Sequence, residues 1–218
     1  EVHDHFGIGF SVELYQGLGA RFSAETFRRL GHDFMGDLLI GLGPNWTGQY
    51  FAGLGPCFDA ELFLRVNPAF VADIFKKDTS FGADTFKTMG PRTVAQVFKG
   101  CGITFAAELF VDLGERLPDL FFDLGEDWAA LLMGRLGFDF SGRLFRSLGA
   151  AFTAKLFAEL GAVFAARLAR SIGPAYCMGL AANFACGGPG CCLQATPEQM
   201  GGTAGGALAD ARTVRWPK

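Results

Sequence analysis

The chain has 218 residues, of which half are hydrophobic and only 19% are charged, with 24 phenylalanines and 31 glycines. A formal net charge of −3 gives no attraction to nucleic acid or to an acidic membrane surface, so we expect no nucleic-acid binding and at most peripheral membrane contact. At this length the chain is able to bury a substantial core.

Residues 1–9 are predicted to form an N-terminal arm, and a twelve-residue repeat follows over residues 10–185. The repeat unit reads aromatic-x-small-x-Leu-Phe-x-x-Leu-Gly-x-x, and its regularity makes it the primary feature of the sequence. We number the positions of each unit from the aromatic residue as 1 to 12. Units begin at Phe10, Phe22, Phe34, Trp46, Phe58, Phe70, Phe81, Thr93, Phe105, Leu117, Trp128, Phe140, Phe152, Phe164 and Tyr176, with one residue missing near Thr79–Ser80 and another near Pro118.

The order of residues within a unit predicts an amphipathic helix. At about 100° per residue, positions 1, 5, 9 and 6 fall on one arc, which carries the aromatic and leucine side chains. Position 3 lies outside this arc and is almost always Ala or Gly. A small residue that recurs there predicts a second contact face, where another helix approaches closely.

Glycine at position 10 is predicted to end each helix in a left-handed C-cap, and Asn67 stands there in one unit. Proline often follows at position 11, as at the start of a helix. Helices this short are marginal alone in water, so each must pack against its neighbours. The sequence therefore predicts an all-α solenoid of about fifteen short helices, with a compact helical bundle as the alternative. We expect no transmembrane helix, because no apolar run reaches about 18 residues.

Position 4 lies opposite the aromatic arc and carries a predicted interaction stripe whose charge changes sign along the chain. One interpretation is a solvated face with ion pairs inside each helix, such as Glu25 with Arg28 or Arg29. The other is a dipolar surface on which an oriented partner docks. The stripe consists of Glu13, Glu25, Asp37, Glu61, Asp73, Asp84, Glu108, Asp119, Arg143, Lys155 and Arg167.

The C-terminal segment, residues 186–218, is predicted to form a Cys- and Gly-rich cap and a flexible tail. Four cysteines cluster at this end, and adjacent cysteines suit a tetrahedral zinc site poorly. We expect two disulfides among Cys177, Cys186, Cys191 and Cys192, with free buried thiols as the alternative. Disulfides would favour an extracellular or organelle-lumen location over the cytosol.

Several motifs of catalysis are missing from the sequence: it has no nucleophile elbow, no phosphate-binding loop and no His-Glu-x-x-His. We therefore expect no enzymatic activity, no cofactor and no metal. The favoured function is a structural or assembly protein that acts as a scaffold, linker or fibre-forming subunit, through a protein partner or self-assembly. The alternative is a peripheral or lumenal accessory subunit of a large organellar membrane complex, in photosynthesis or respiration, that contacts pigment or lipid.

A third hypothesis is ice or mineral binding through a flat repetitive face. Its support is serine or threonine at position 2 of several units, as at Ser11, Ser23, Thr47, Ser141 and Thr153. The spacing of these hydroxyl groups is too irregular to match a lattice, which makes this the weakest of the three hypotheses.

Overall fold

A computed structural model describes residues 2–175 and 177–178, and within this part of the chain every regular element is helical. A short 3₁₀ turn, Gly114–Arg116, precedes the helix Leu117–Leu124. The helices are α1 Val2–Leu42, α2 Pro44–Leu54, α3 Pro56–Val66, α4 Pro68–Lys77, α5 Thr79–Met89, α6 Pro91–Leu113, α7 Leu117–Leu124, α8 Glu126–Leu136, α9 Phe138–Leu148 and α10 Ala150–Ile172. The predicted all-α class is thus confirmed for the described residues.

The predicted count of about fifteen separate helices is not confirmed, because the described residues form fewer helices than that. Helices α1, α6 and α10 run through position-10 glycines that have non-helical dihedral angles, such as Gly19, Gly31, Gly102 and Gly161. Residues 2–9, predicted as an arm, are helical and form the beginning of α1.

At most junctions a single residue at position 10 joins successive helices, and its φ is positive as predicted. Gly137, for example, has φ 82° and ψ 157°. This ψ is extended, so the residue is not in the left-handed helical conformation that we expected for the cap. The glycine still links both hydrogen-bond ladders: at Gly43 the N–H donates to the carbonyl of Leu39, and the carbonyl accepts from the N–H of Thr47.

Bends at these junctions fold the helices into a repeat-like stack. The axes of α9 and α10 are bent by 106° at their junction. Bends of this size close a full circle in about three to four units, or roughly 40 residues, as expected for stacked repeats. Hydrogen bonds between non-consecutive helices agree, since they join residues 36 to 44 positions apart. We call each such circuit of about 40 residues a turn of the stack.

The predicted second contact face at position 3 is confirmed by the distance between turns. A Cβ added to Gly48 would lie 2.5 Å from the Cβ of Thr88, and one added to Gly36 would lie 3.0 Å from Cδ of Lys77. The partner residues Thr88 and Lys77 are both at position 8 of a later unit. Small residues at position 3 therefore let the next turn of the stack approach closely.

Candidate functional site

The first turn of the stack exposes an apolar surface, which we call the end face and define as Leu14, Leu18, Phe22, Leu30 and Phe34. These side chains are 40–54% exposed. The same repeat positions are buried or half-buried in later turns. At position 1, Phe70, Phe81, Phe105 and Phe164 are 4–9% exposed, and at position 5, Leu62, Leu144 and Leu156 are 0–4% exposed. The aromatic position-1 residues that are half-buried are Trp46, Phe58, Trp128, Phe140 and Phe152.

The reason for this exposure is that position 1 packs against an earlier turn of the stack. The ring of Phe164 meets that of Phe122, with centroids 5.5 Å apart, and the ring of Trp128 stacks on that of Phe86 at 6.5 Å. Residues 10–42 have no such turn before them among the described residues. The end face is therefore a packing surface of the repeat that lacks its neighbouring turn.

A cleft of about 550 Å³ lies beside the end face and is rich in arginine. It shares Leu18 and Phe22 with the end face. Glu25 forms ion pairs with Arg28 and Arg29 at 2.7 Å and 2.9 Å, and these arginines hold the pKa of Glu25 below its usual value. The other charged residues that line the cleft are Arg21 and Arg65. The cleft thus combines an apolar wall with guanidinium groups.

The predicted interaction stripe at position 4 lies on the surface, but its members do not converge on one site. Most of its acidic residues pair with a cation three or four residues away in the chain, in line with the first interpretation given above. The pairs are Glu25 with Arg28 and Arg29, Glu61 with Arg65, Asp73 with Lys76, Asp84 with Lys87, and Asp119 with Arg116. Glu13, Glu108 and Arg143 are exposed.

Three members of the stripe form ion pairs between turns of the stack. Asp37 binds Lys77 at 2.9 Å. Lys155 and Arg167 pair with Glu115 and Glu126, at 3.6 Å and 3.3 Å. These contacts hold neighbouring turns of the same chain together, so this part of the stripe serves the fold.

The cysteines within the described part of the chain form no disulfide. Cys57 is exposed, Cys101 is buried and Cys177 is half-buried, and all three carry free thiols. The sulfur of Cys177 lies 3.7 Å from the carbonyl oxygen of Ala169. Cys186, Cys191 and Cys192 lie outside the described residues, so the disulfides expected there stay a prediction.

Position 2, which the sequence analysis left out of the core, is the most deeply buried position of the repeat. Ser11, Ser23 and Ser141 are completely buried, and Thr47 and Thr153 are 1% and 7% exposed. The hydroxyls of Thr47 and Thr153 donate to the carbonyls of Leu39 and Phe145, eight residues earlier, and so tie consecutive helices together across the bend. This burial contradicts the hypothesis that these hydroxyl groups form an ice- or mineral-binding face.

Asp59 occupies position 2 of its unit and is the charged residue in this buried row. Its side chain is completely buried, and neither carboxyl oxygen has a hydrogen-bond partner. Burial raises the pKa of Asp59 to about 8. It also raises the pKa of Cys101 to about 12, with a smaller contribution from Asp59.

One helical run, Pro91–Leu124, is long and apolar enough to cross a membrane by length and composition alone, contrary to our expectation. Half of the apolar window is buried inside the fold, and core helices of soluble proteins pass the same test, so this is weak evidence for a span.

Among the described residues, no group of three or more His, Cys, Asp and Glu side chains is placed to bind a metal ion. Comparison with known protein families, curated proteins and solved structures gave no match.

Proposed function

We propose that this chain is a short-helix solenoid of about fifteen twelve-residue units and that it acts as a non-enzymatic structural or assembly protein. The observation that carries the proposal is the end face, where leucine and phenylalanine side chains are 40–54% exposed at repeat positions that are buried or half-buried in later turns. Contiguous exposed apolar surface of this kind is typical of protein–protein contact sites.

The occupant that best fits the end face is a second copy of the chain. The end face has the spacing of the repeat itself, so another turn of the same repeat supplies matching ridges and grooves. A net charge of only −3 also leaves little repulsion between copies. Docking would cover the end face and give the first turn the neighbour that later turns already have.

Sedimentation equilibrium tests this function. The wild-type protein is expected to show a mass above the monomer value of 23.4 kDa, increasing with concentration. Phe22→Glu places a charge in the end face and is expected to give a monomer, because burying an unpaired carboxylate at the contact is costly.

The matched control is Leu131→Glu, because Leu131 is 55% exposed on α8 and is not part of the end face. This variant is expected to associate like the wild type. A wild-type protein that stays monomeric at every concentration would contradict self-assembly. Equal loss of association in both variants would show that the end face has no special role.

A second candidate function is that of a peripheral subunit on an organellar membrane, and the arginine-rich cleft favours it. Arginine beside exposed leucine and phenylalanine is a combination found in interfacial, anionic-lipid-binding surfaces. Flotation with vesicles of anionic and of neutral lipid separates the two functions. Binding to anionic vesicles that is lost in Arg21→Glu would favour the membrane role, and no binding would leave the assembly role.

A further inference from the structure

Asp59 stands where other units carry a hydroxyl group that ties consecutive helices together. We propose that Asp59 is a proton-operated latch between α3 and α6: the protonated side chain keeps the two helices packed, and the ionised side chain makes them separate. This inference is independent of the end face and concerns the middle of the stack.

The first step is the closeness of the two helices beside Asp59. A Cβ added to Gly100 would lie only 2.7 Å from the Cβ of Ala60, the residue next to Asp59. The sulfur of Cys101 lies 3.7 Å from the carbonyl oxygen of Ala60. Because the helices pack this tightly and Asp59 is completely buried, an ionised carboxylate gains hydration only if the helices move apart.

The second step concerns the protonated form. Thr47 and Thr153 donate from position 2 to a carbonyl eight residues earlier. A protonated carboxyl also carries one O–H donor. At Asp59 the residue eight positions earlier is Phe51 of α2, so a hydrogen bond from the protonated side chain to its carbonyl would tie α3 to α2 across the bend. Against α6 the protonated side chain acts differently: it is uncharged and needs no hydration, so the close packing of α3 and α6 is kept. The ionised side chain loses this donor.

The third step is the set of ionisable groups around Asp59. Helix α3 packs against α1, α2, α4 and α6. Tyr50 of α2 and Cys101 of α6 lie near enough for the charge of Asp59 to raise the pKa of each. Tyr15 of α1 contacts Tyr50, with ring centroids 5.7 Å apart. Within the described chain, burial alone sets the pKa of Asp59, and no cation of α1, α2, α4 or α6 compensates its charge.

Amide hydrogen exchange at pH 6 and pH 9, corrected for the intrinsic rates, tests the latch. Up to a closed-state pKa of about 8, ionisation of the freed carboxyl favours opening by about tenfold per pH unit, so protection of residues 56–66 and 91–101 in the wild type is expected to fall by about 100-fold between pH 6 and pH 9. Asp59→Asn is expected to keep the same protection at both pH values. Asp84→Asn, which changes an exposed carboxylate, is expected to behave like the wild type.

Equal protection of wild type and Asp59→Asn at both pH values would overturn the latch. A loss at pH 9 that is uniform over all helices would also overturn it, because it would indicate global instability. Asp59→Thr gives a second variant that follows Thr47 and Thr153, in case the asparagine does not fold. It is likewise expected to be insensitive to pH in these two helices.

Discussion

At the scale of single residues, Asn67 adopts a backbone conformation that glycine takes at most of the other positive-φ junctions of the described chain. Its φ of 82° and ψ of 161° match those of the neighbouring glycine junctions, and it is the only non-glycine residue with positive φ in the described part of the chain. A non-glycine residue in this positive-φ conformation costs roughly 1–3 kcal/mol of folding free energy. The Asn67 side chain offsets part of that cost, because its Oδ1 accepts from the N–H of Phe70 at 2.9 Å.

Replacing Asn67 by glycine is therefore expected to stabilise the protein by about 1 kcal/mol, since strain is relieved and an N-cap lost to glycine costs only a few tenths of a kcal/mol. Asn67→Ala is the matched comparison and is expected to destabilise, because it keeps the strain and loses the cap. Urea unfolding measures both. A lower midpoint for Asn67→Gly than for the wild type would show that the cap outweighs the strain.

The raised pKa of Asp59 also predicts how the global stability of the protein depends on pH. The pKa of Asp59 is about 8 in the folded protein, above the ordinary 3.8, so the folded state binds the proton more tightly. The stabilisation is complete below about pH 4 and is lost as pH rises toward 8, by at most about 1.4 kcal/mol per pH unit. The free energy of unfolding is expected to fall over this range in the wild type.

Asp59→Asn removes this titration, so urea midpoints of wild type and variant are expected to converge at low pH and to separate as pH rises. Comparing the two proteins isolates Asp59 from carboxylates such as Asp33 and Asp78, whose lowered pKa values act in the opposite direction at low pH. Parallel pH profiles for the two proteins would mean that Asp59 does not titrate in this range.

Sequence reasoning succeeded at positions 3 and 10 and failed at position 2. Positions 3 and 10 admit few residue types, because close approach and positive φ each exclude most side chains, so the pattern is visible. Position 2 varies widely and holds Ser, Thr, Asp, Val, Ala, Met, Gly, Pro and Cys in different units. At about 100° it lies inside the predicted buried arc, but its polar members hide this. For Thr47 and Thr153, hydrogen bonds across the bend offset the cost of burying the hydroxyl group.

At the scale of the helices, the bend depends on glycine at position 10, and α8 offers a matched test. Gly137 ends α8 with φ 82°, whereas Gly134 lies within the helix, and a Cβ would meet nothing within 4 Å at either position. Steric clash therefore does not distinguish the two glycines. The difference between them is the backbone conformation.

Gly137→Ala is expected to destabilise by roughly 1–3 kcal/mol, because alanine is strained at this positive φ. Gly134→Ala is expected to stabilise by about 0.5–1 kcal/mol through helix propensity. Thermal unfolding of the two variants checks the opposite signs. Equal effects would mean that the bend does not require glycine.

The missing residue near Thr79–Ser80 shows how an element absorbs a break in the repeat. Helix α4 ends at Lys77, and Asp78 takes the junction with φ −153° and ψ 104° in place of a glycine. Its Oδ1 accepts from the N–H of Phe81 at 3.0 Å and from the hydroxyl of Ser80 at 2.7 Å. The sequence located the break, but not this change from a glycine junction to a capping aspartate.

At the scale of the whole molecule, stacking with a period of about 40 residues explains which side chains are exposed. The sequence predicted a repeat protein that assembles with itself or with a protein partner, but not which residues form the exposed surface. Identifying those residues requires the number of units in each turn of the stack. The bend angle between helices sets this number, and the residue pattern does not give the angle. Leu18 at position 9 of the first unit is 43% exposed, whereas Val66 at the same position of a later unit is 1% exposed.

The most direct measurement of the central claim is amide hydrogen exchange of residues 8–42 at low and at high protein concentration. Because the first turn has no earlier neighbour among the described residues, its local stability is expected to be lower than that of the middle of the stack. The account predicts slower exchange in residues 8–42 at high concentration, no change in α6, and no concentration dependence in Phe22→Glu. Exchange in residues 8–42 that is independent of concentration in the wild type would contradict docking at the end face.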